Sequence, residues 1–98
     1  MNQLPNVLIV DDSGVNLLLL IAILKKFEIN LIQAFSGADA LEKTKELKIA
    51  LAIIDVQMPE MNGYELLLKL KEEHPEEKIP VIYLSAIYRT LSGAQHPA

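Results

Sequence analysis

Short apolar runs alternate with longer segments of mixed apolar and polar residues along most of the chain. Each run has the length and the aliphatic composition of a strand buried on both faces of a parallel sheet. The runs predict four strands, over residues 7–10, 29–35, 51–54 and 81–84. Strands that alternate with helices favour a mostly parallel sheet covered on both faces, because right-handed crossovers return each helix to the sheet.

Three predicted helices fill the intervening segments. Each follows a polar residue that suits a helix N-cap, namely Ser13, Ser36 and Asn62. The first helix is expected over residues 15–27, since Lys25 and Lys26 suit a helix C-terminus. Aliphatic side chains line one side of the other two, Ala40, Leu41 and Leu47 in the second helix and Leu66, Leu67 and Leu70 in the third, which stops at Pro75.

Length and charge narrow the class of protein. A chain of 98 residues has room for one small domain. With 9 basic against 13 acidic residues, and the basic ones scattered, we expect no direct binding to nucleic acid. The most apolar run, residues 17–24, is too short to span a membrane, and no signal peptide is recognised. The absence of cysteine fits a reducing cytosol, so we expect a cytoplasmic protein.

Candidate chemistry lies where the predicted strands end. Asp11 and Asp12 follow the first strand, Asp55 follows the third, and Ser85 follows the fourth. Ligands of open parallel sheets bind outside the carboxyl ends of strands. If the first and third strands are neighbours, three carboxylates converge, and each charge raises the cost of ionising the next. Such a cluster calls for a cation, and oxygen ligands in a partly hydrated site suit Mg²⁺.

Three segments together resemble the response-regulator receiver family of two-component signalling. They are Asp11-Asp12, the loop at residues 55–63 that reads Asp-Val-Gln-Met-Pro-Glu-Met-Asn-Gly, and Leu84-Ser85-Ala86. The resemblance covers residues 7–86, so we assign 1–86 to a receiver domain and 87–98 to a tail that does not match. It implies a flavodoxin-like, doubly wound α/β fold of three αβα layers, incomplete, with about four strands in the order 2-1-3-4.

The resemblance also implies a function. Asp55 would accept a phosphoryl group from a sensor histidine kinase or a phosphotransfer protein, forming an aspartyl phosphate. The metal ligands would be Asp11, Asp12, Asp55 and the backbone carbonyl of Gln57, holding Mg²⁺. Ser85 would be the switch hydroxyl that bonds a phosphoryl oxygen. The output is binding, so we expect no enzyme beyond self-catalysed phosphorylation and dephosphorylation.

The sequence departs from the family after Ala86. Receivers continue through a helix, a fifth strand that ends in Lys-Pro and a last helix, whereas twelve residues follow here. The phosphate-binding lysine has no counterpart, so phosphorylation is expected to be slow or absent. The apolar first helix and the edge of the fourth strand lack their usual cover, which predicts a homodimer or a domain swap. A non-switching interaction module therefore stays open as the alternative function, and a phosphatase is less favoured.

Other residues have ordinary structural interpretations. His74 stands beside Pro75 at a helix end, where a solvated ring is usual, and we assign it no functional role. Met58 and Met61 are expected to pack the loop after the third strand. His96 receives no role.

Overall fold

Strands and helices alternate strictly along the chain. The computed structural model describes residues 3–84. The elements are β1 (Asn6–Val10), α1 (Gly14–Leu24), β2 (Asn30–Ala34), α2 (Gly37–Lys43), β3 (Ile49–Asp55), α3 (Gly63–Glu73) and β4 (Val81–Leu84). Within that part of the chain, no helix has both the length and the apolar character needed to cross a membrane.

All four strands are parallel and form one sheet in the order β2-β1-β3-β4. This is the predicted flavodoxin-like order. At the carboxyl edge of the sheet, Val10 of β1 pairs with Ala34 on one side and with Ile54 on the other. Asp55 pairs with Leu84 of β4. The register therefore brings the residues that follow β1 and β3 next to each other.

Apolar side chains cover both faces of the sheet, so the two central strands, β1 and β3, are buried on both sides. One core lies under α2 and α3 and contains Leu8, Val10, Ala52, Ile54, Leu66 and Leu70. The other lies under α1 and contains Val7, Ile9, Leu17, Leu20 and Ile53. The alternation of side chains along β1 and β3 supplies both cores from the same strands. The result is the three-layer αβα arrangement that the sequence predicted.

The three predicted N-caps are confirmed. The Ser13 hydroxyl accepts a hydrogen bond from the Asn16 backbone N–H at 3.2 Å, and the Ser36 hydroxyl accepts one from Asp39 at 3.0 Å. Asn62 forms a capping box, since it accepts from the Glu65 N–H while Glu65 accepts from the Asn62 N–H, both at 2.9 Å. Each cap satisfies N–H groups that the first helical turn leaves without partners.

The first helix is shorter than predicted, ending at Leu24 rather than at residue 27. The Phe27 N–H donates to the Leu24 carbonyl at 3.0 Å, which closes a tight turn after the helix. The Asn30 N–H then donates to the Pro5 carbonyl at 2.8 Å, where β2 starts beside β1. The prediction failed because the chain must reverse here, and tertiary pairing decides the boundary.

The second helix also ends early, at Lys43, so Leu47 does not lie on it as predicted. Thr44 is buried, and its hydroxyl donates to the Ala40 carbonyl at 2.8 Å. A side chain that bonds the preceding turn in this way competes with continuation of the helix. Leu47 follows in a turn and still packs against the core.

His74 is buried rather than solvated, which corrects our expectation for this residue. Its Nδ1 lies 3.7 Å from a carboxylate oxygen of Glu77. The other Glu77 oxygen accepts a hydrogen bond from the Ile49 N–H at 3.2 Å. His74 thus helps to join the end of α3 to the start of β3, at the edge of the sheet opposite to the aspartates.

Candidate functional site

Three aspartates converge at the carboxyl edge of the sheet. Asp11 and Asp12 follow β1, and Asp55 is the last residue of the neighbouring strand β3. One carboxylate oxygen from each lies within 4.8 Å of the others. The structure therefore confirms the predicted convergence of the three carboxylates. Asp11 and Asp55 are buried, whereas Asp12 is exposed at the rim.

Asp11 is fixed in place by the start of α1. One of its carboxylate oxygens accepts the Ser13 N–H at 2.9 Å, and the other accepts the side-chain amide of Asn16 at 3.2 Å. Asn16 lies in the first turn of α1, so the helix orients the carboxylate as well as following it. These two bonds compensate in part for the burial of a charged group.

The pKa of the Asp11 carboxyl lies above its ordinary value of 3.8. Burial is the largest cause, because it disfavours the charged form, and the negative charge of Asp12 acts in the same direction. The hydrogen bonds that Asp11 accepts from Ser13 and Asn16 oppose this increase, as does its hydrogen bond with Asp55. Burial therefore makes the ionised form of Asp11 costly, and a bound cation would reduce that cost.

Asp55 lies at the mouth of the loop that connects β3 to α3. Its Oδ1 accepts a hydrogen bond from the Gln57 N–H at 3.2 Å, which ties the carboxylate to the loop backbone. Gln57 follows Asp55 by two residues, and its side chain is exposed. The backbone of the loop thus orients the carboxylate of Asp55, the residue predicted to accept the phosphoryl group.

Gly63 permits the close return of this loop to the strand. Its N–H donates to the Val56 carbonyl at 2.9 Å. A Cβ placed on Gly63 would lie 2.6 Å from the Asp55 carbonyl oxygen and 2.9 Å from an Ile54 methyl group. Side chains at residue 63 would therefore push the start of α3 away from the acid-bearing end of β3.

The rest of the loop is packed and locally strained. Glu60 has a φ of 70°, in the left-handed region that favours glycine. Met58 is buried in the core under α2 and α3, and Met61 contacts that core. A Cβ on Gly37 would lie 2.5 Å from the Met61 sulfur, so α2 approaches the loop closely. The packing role expected for both methionines is confirmed.

The donor set fits a hard divalent cation. Its side-chain donors are all carboxylate oxygens, two of them from buried residues and one from an exposed residue that leaves access to water. Mg²⁺ commonly takes one or two protein carboxylates, keeps several waters and adds a phosphoryl oxygen. Asp11, Asp12 and Asp55 are the residues that would hold it, and the positive charge would offset the repulsion among them.

Sequence reasoning missed two contributors to this site. The only sequence indication for Asn16 was its position, as an amide in the first turn of a helix that begins beside Asp11 and Asp12. Gly63 was noted only as the last residue of the loop at residues 55–63, although its close approach to Asp55 is what positions the loop. Ser85, the predicted switch hydroxyl, lies outside the described residues, which end at Leu84 beside Asp55.

The fold and the acid cluster match one protein family. The chain matches the response regulator receiver domain over residues 7–94 and belongs to that family. The match starts at Val7, as the sequence resemblance did.

Relatives come from plants and bacteria. The two-component response regulator ORR11 of Oryza sativa subsp. indica is 42% identical over 83 residues, covering 84% of this chain and 56% of the relative. The autoinducer 1 sensor kinase/phosphatase LuxN of Vibrio campbellii is 40% identical over 84 residues, covering 86% of this chain and 10% of LuxN. The chain thus spans little more than half the length of ORR11 and a small part of LuxN.

Solved structures share the fold. The response regulator protein TrrA from Thermotoga maritima, in complex with Mg²⁺ and BeF, superposes with a TM-score of 0.72 at 27% identity, covering 92% of this chain and 79% of TrrA. The chemotaxis protein CheY4 of Vibrio cholerae gives a TM-score of 0.76 at 23% identity, covering 94% of this chain and 79% of CheY4. At that identity the likeness to CheY4 concerns the fold alone.

Proposed function

We propose that the chain is a phosphoacceptor domain in which Asp55 takes a phosphoryl group from a phosphohistidine. The donor is a sensor histidine kinase or a phosphotransfer protein. The observation that carries the proposal is the meeting of three aspartate carboxylates within 4.8 Å at the carboxyl edge of the sheet. Membership of the receiver family supports it, as does the Mg²⁺ and BeF complex of TrrA.

The transfer needs a positioned nucleophile and compensation of charge. A carboxylate oxygen of Asp55 attacks the phosphorus, and the P–N bond to the donor imidazole breaks with its electron pair remaining on the nitrogen. The Gln57 N–H holds the attacking carboxylate in orientation at 3.2 Å. Mg²⁺, when bound, supplies positive charge to the phosphoryl oxygens. Water later cleaves the P–O bond of the acyl phosphate and restores Asp55.

Asp11, Asp12, Asp55 and the Gln57 backbone carbonyl are the proposed metal ligands. Asp11 is held by Ser13 and Asn16, so it enters the site preorganised. Asp12 is exposed at the rim and would hold the metal on the side open to water. The pKa of Asp11 is raised by burial, and a bound cation would stabilise the ionised carboxylate.

The output we propose is a change of binding surface. Phosphorylation adds negative charge and acceptor oxygens at the end of β3, and Ser85 would donate its hydroxyl to one of them. The chain then acts as a switch, with no turnover beyond forming and losing its own phosphoryl group. The absence of cysteine leads us to propose the cytoplasm as its location.

Intact-mass measurement tests the proposal. The full chain is incubated with Mg²⁺ and either acetyl phosphate or a phosphorylated histidine kinase, and we expect the mass of one phosphoryl group to be added. Asp55→Asn and chelation of Mg²⁺ should each abolish the increase. Asp39→Asn is the matched control, because Asp39 lies on α2 and takes no part in the acid cluster. An increase that persists in Asp55→Asn would refute the assignment.

A further inference from the structure

Strand β2 lies at one end of the sheet and, among residues 3–84, pairs with β1 alone. A fifth strand of a flavodoxin-like sheet joins beside β4, at the opposite end. The outer side of β2 therefore stays open when such a strand is added. An edge strand of this kind offers its outward backbone N–H and C=O groups to any other strand that approaches.

The composition of the β2 segment favours pairing with copies of itself. Residues 29–35 read Ile-Asn-Leu-Ile-Gln-Ala-Phe, and four of the seven are large and apolar. The segment contains no charged residue, no proline and no glycine. Segments of six or seven residues with this composition readily form strands that stack on one another. The β2 edge is therefore a place where addition of a strand from a second copy has to be prevented.

The backbone groups of β2 alternate in direction along the strand. The Ala34 carbonyl accepts the Asp11 N–H at 3.1 Å, so the backbone groups of Ala34 face β1. Successive residues of a strand direct these groups to opposite sides. Leu31, Gln33 and the following residue, Phe35, thus direct their N–H and C=O groups to the open edge.

Two side chains of α2 bond the outward groups at the carboxyl end of β2. Asp39 Oδ2 accepts the Phe35 N–H at 3.0 Å, and Lys43 Nζ donates to the Gln33 carbonyl at 2.7 Å. One side chain is an acceptor and the other is a donor, so together they satisfy groups that a neighbouring strand would otherwise bond. We call the pair of Asp39 and Lys43 the edge clamp.

Helical spacing and charge hold the edge clamp together. Lys43 follows Asp39 by one turn of α2, and its Nζ lies 3.3 Å from Asp39 Oδ2. The Asp39 N–H donates to the Ser36 hydroxyl at 3.0 Å, which fixes the backbone of this acid. Lys43 Nζ also lies 6.0 Å from the centre of the Phe35 ring. The clamp is therefore a network that joins α2 to β2, whereas an isolated exposed ion pair would contribute little.

We propose that the edge clamp prevents a second copy of the chain from adding its own β2 to this edge. Antiparallel pairing across a two-fold axis at Ile32 would set Leu31 opposite Gln33 of the second copy. One of the two hydrogen bonds of that pair ends on the Gln33 carbonyl, where Lys43 is the donor in the closed clamp. Strand addition therefore has to displace a charge-assisted hydrogen bond first.

Lys43→Met tests the clamp, because methionine keeps the apolar stem and the helix propensity but removes the donor. The full chain and the variant are incubated at equal concentration, and association is followed by light scattering. We expect the variant to associate about tenfold faster, since a hydrogen bond to a charged group is worth about one order of magnitude in an equilibrium. The readout is association alone, so it does not depend on the proposed phosphoryl transfer to Asp55.

Lys45→Met is the matched control. Lys45 pairs with the exposed Glu42 at 3.3 Å, so the substitution also removes one lysine and one surface ion pair. It should associate at the rate of the parent chain, because any association through other surfaces is common to all three proteins. Equal rates for Lys43→Met and Lys45→Met overturn the proposal.

A less stable fold also associates faster, so a second substitution separates that cause from strand addition. Gln33→Lys places a charge on the exposed side of the edge strand, where it opposes pairing with another strand. Added to Lys43→Met, it should return association to the rate of the parent chain. If the double variant associates as fast as Lys43→Met alone, association does not use the β2 edge and the inference is wrong.

Amide hydrogen exchange locates the interface in associated Lys43→Met. The N–H groups of Leu31 and Gln33 face the open edge, and we expect them to exchange at least about tenfold more slowly than in the parent chain. The amides of β4 (Val81–Leu84) report on the other end of the sheet and should keep their parent rates. Protection of β4 without protection of Leu31 and Gln33 would show that a different edge pairs, which contradicts the role proposed for the clamp.

Discussion

Helices α1 and α3 are the same length, 11 residues, and both begin with glycine after a polar cap at the carboxyl edge of the sheet. Their outward faces differ. The outer side of α3 is rich in charge, with Glu65, Lys69 and Glu72 around the exposed Leu68. The outer side of α1 is aliphatic throughout. The exposed side chains of α3 are therefore mostly charged, whereas those of α1 are aliphatic.

Their first residues differ as well. Gly14 of α1 stands in open space, where an added Cβ would have no neighbour within 4 Å, while Gly63 of α3 lies against the Asp55 backbone. The start of α1 contributes polar groups to the acid cluster, through Ser13 and Asn16. The start of α3 contributes close packing. The two helices therefore support the same site by different means.

The largest expected effect separates the two sides of α3. Leu70→Ala should lower the free energy of unfolding by about 3 kcal/mol, because it leaves a cavity in a fully buried place. Leu68→Ala should cost less than about 1 kcal/mol, since that side chain is mostly in water. Urea denaturation followed by circular dichroism measures both. Equal losses would contradict the burial assigned to α3.

The helix starts provide the next contrast. Gly63→Ala should cost about 2 kcal/mol, because the added methyl group overlaps the Asp55 carbonyl oxygen, and it should also reduce phosphorylation. Gly14→Ala meets no neighbour and should be neutral or stabilise by up to about 1 kcal/mol. Denaturation and intact mass after incubation with acetyl phosphate report the two effects. A harmless Gly63→Ala would show that the loop tolerates displacement.

Replacement of Asp11 tests whether its buried charge lowers the stability of the fold. We expect Asp11→Asn to stabilise the Mg²⁺-free protein at neutral pH by about 1 kcal/mol, as removal of functional strain commonly does. The sign follows from the raised pKa: Asp11 favours folding below the ordinary value of 3.8, and this contribution is lost as pH rises through the folded-state pKa. Thermal unfolding at pH 7 with and without Mg²⁺ checks it.

Mg²⁺ should raise the melting temperature of the parent chain and have little effect on Asp11→Asn. Asp39→Asn serves as the control for loss of one acid, because it removes a charge outside the cluster. A destabilised Asp11→Asn would mean that the hydrogen bonds from Ser13 and Asn16 outweigh the cost of burial.

The smallest expected effect compares the two caps. Asn62→Ala removes half of the α3 capping box and should cost about 1 kcal/mol. Ser13→Ala should cost less, about 0.5 kcal/mol, because its hydrogen bond to Asn16 is long at 3.2 Å and Asp11 still accepts the Ser13 N–H. Denaturant midpoints distinguish the two. A larger cost at Ser13 would show that the cap also maintains the position of Asp11.

Much of the fold follows from local pattern. Runs of branched aliphatic residues gave the strands, and β4 has the predicted bounds, because buried strands of a parallel sheet leave few other places for such residues. The three caps were recognisable for a similar reason, since their side chains act on the next three residues. Those features depend on neighbours in the sequence.

Boundaries that depend on distant residues were harder to predict. Residues 25–27 have helical composition, but α1 ends at Leu24 because β2 must start beside β1. His74 is polar and near a proline, but it is buried, and it lies beside Glu77, which bonds the start of β3. No local pattern carries such information.

Some features of the candidate site were likewise predictable from the sequence, and others depend on tertiary packing. The placement of Asp11, Asp12 and Asp55 at strand ends was visible in the sequence, and the strand order then brings them together. The tie between Asp11 and Asn16 and the approach of Gly63 to Asp55 are properties of tertiary packing. The role of Ser85 and the proposed domain boundary at Ala86 stay predictions.

Chemical trapping tests the central claim most directly. The chain is phosphorylated with Mg²⁺ and acetyl phosphate, reduced with borohydride, which converts an aspartyl phosphate to homoserine, and digested for tandem mass spectrometry. We predict homoserine at position 55 and nowhere else, with none formed when Mg²⁺ is chelated. Homoserine at position 11 or 12, with Asp55 unmodified, would contradict the assignment of Asp55 as the acceptor.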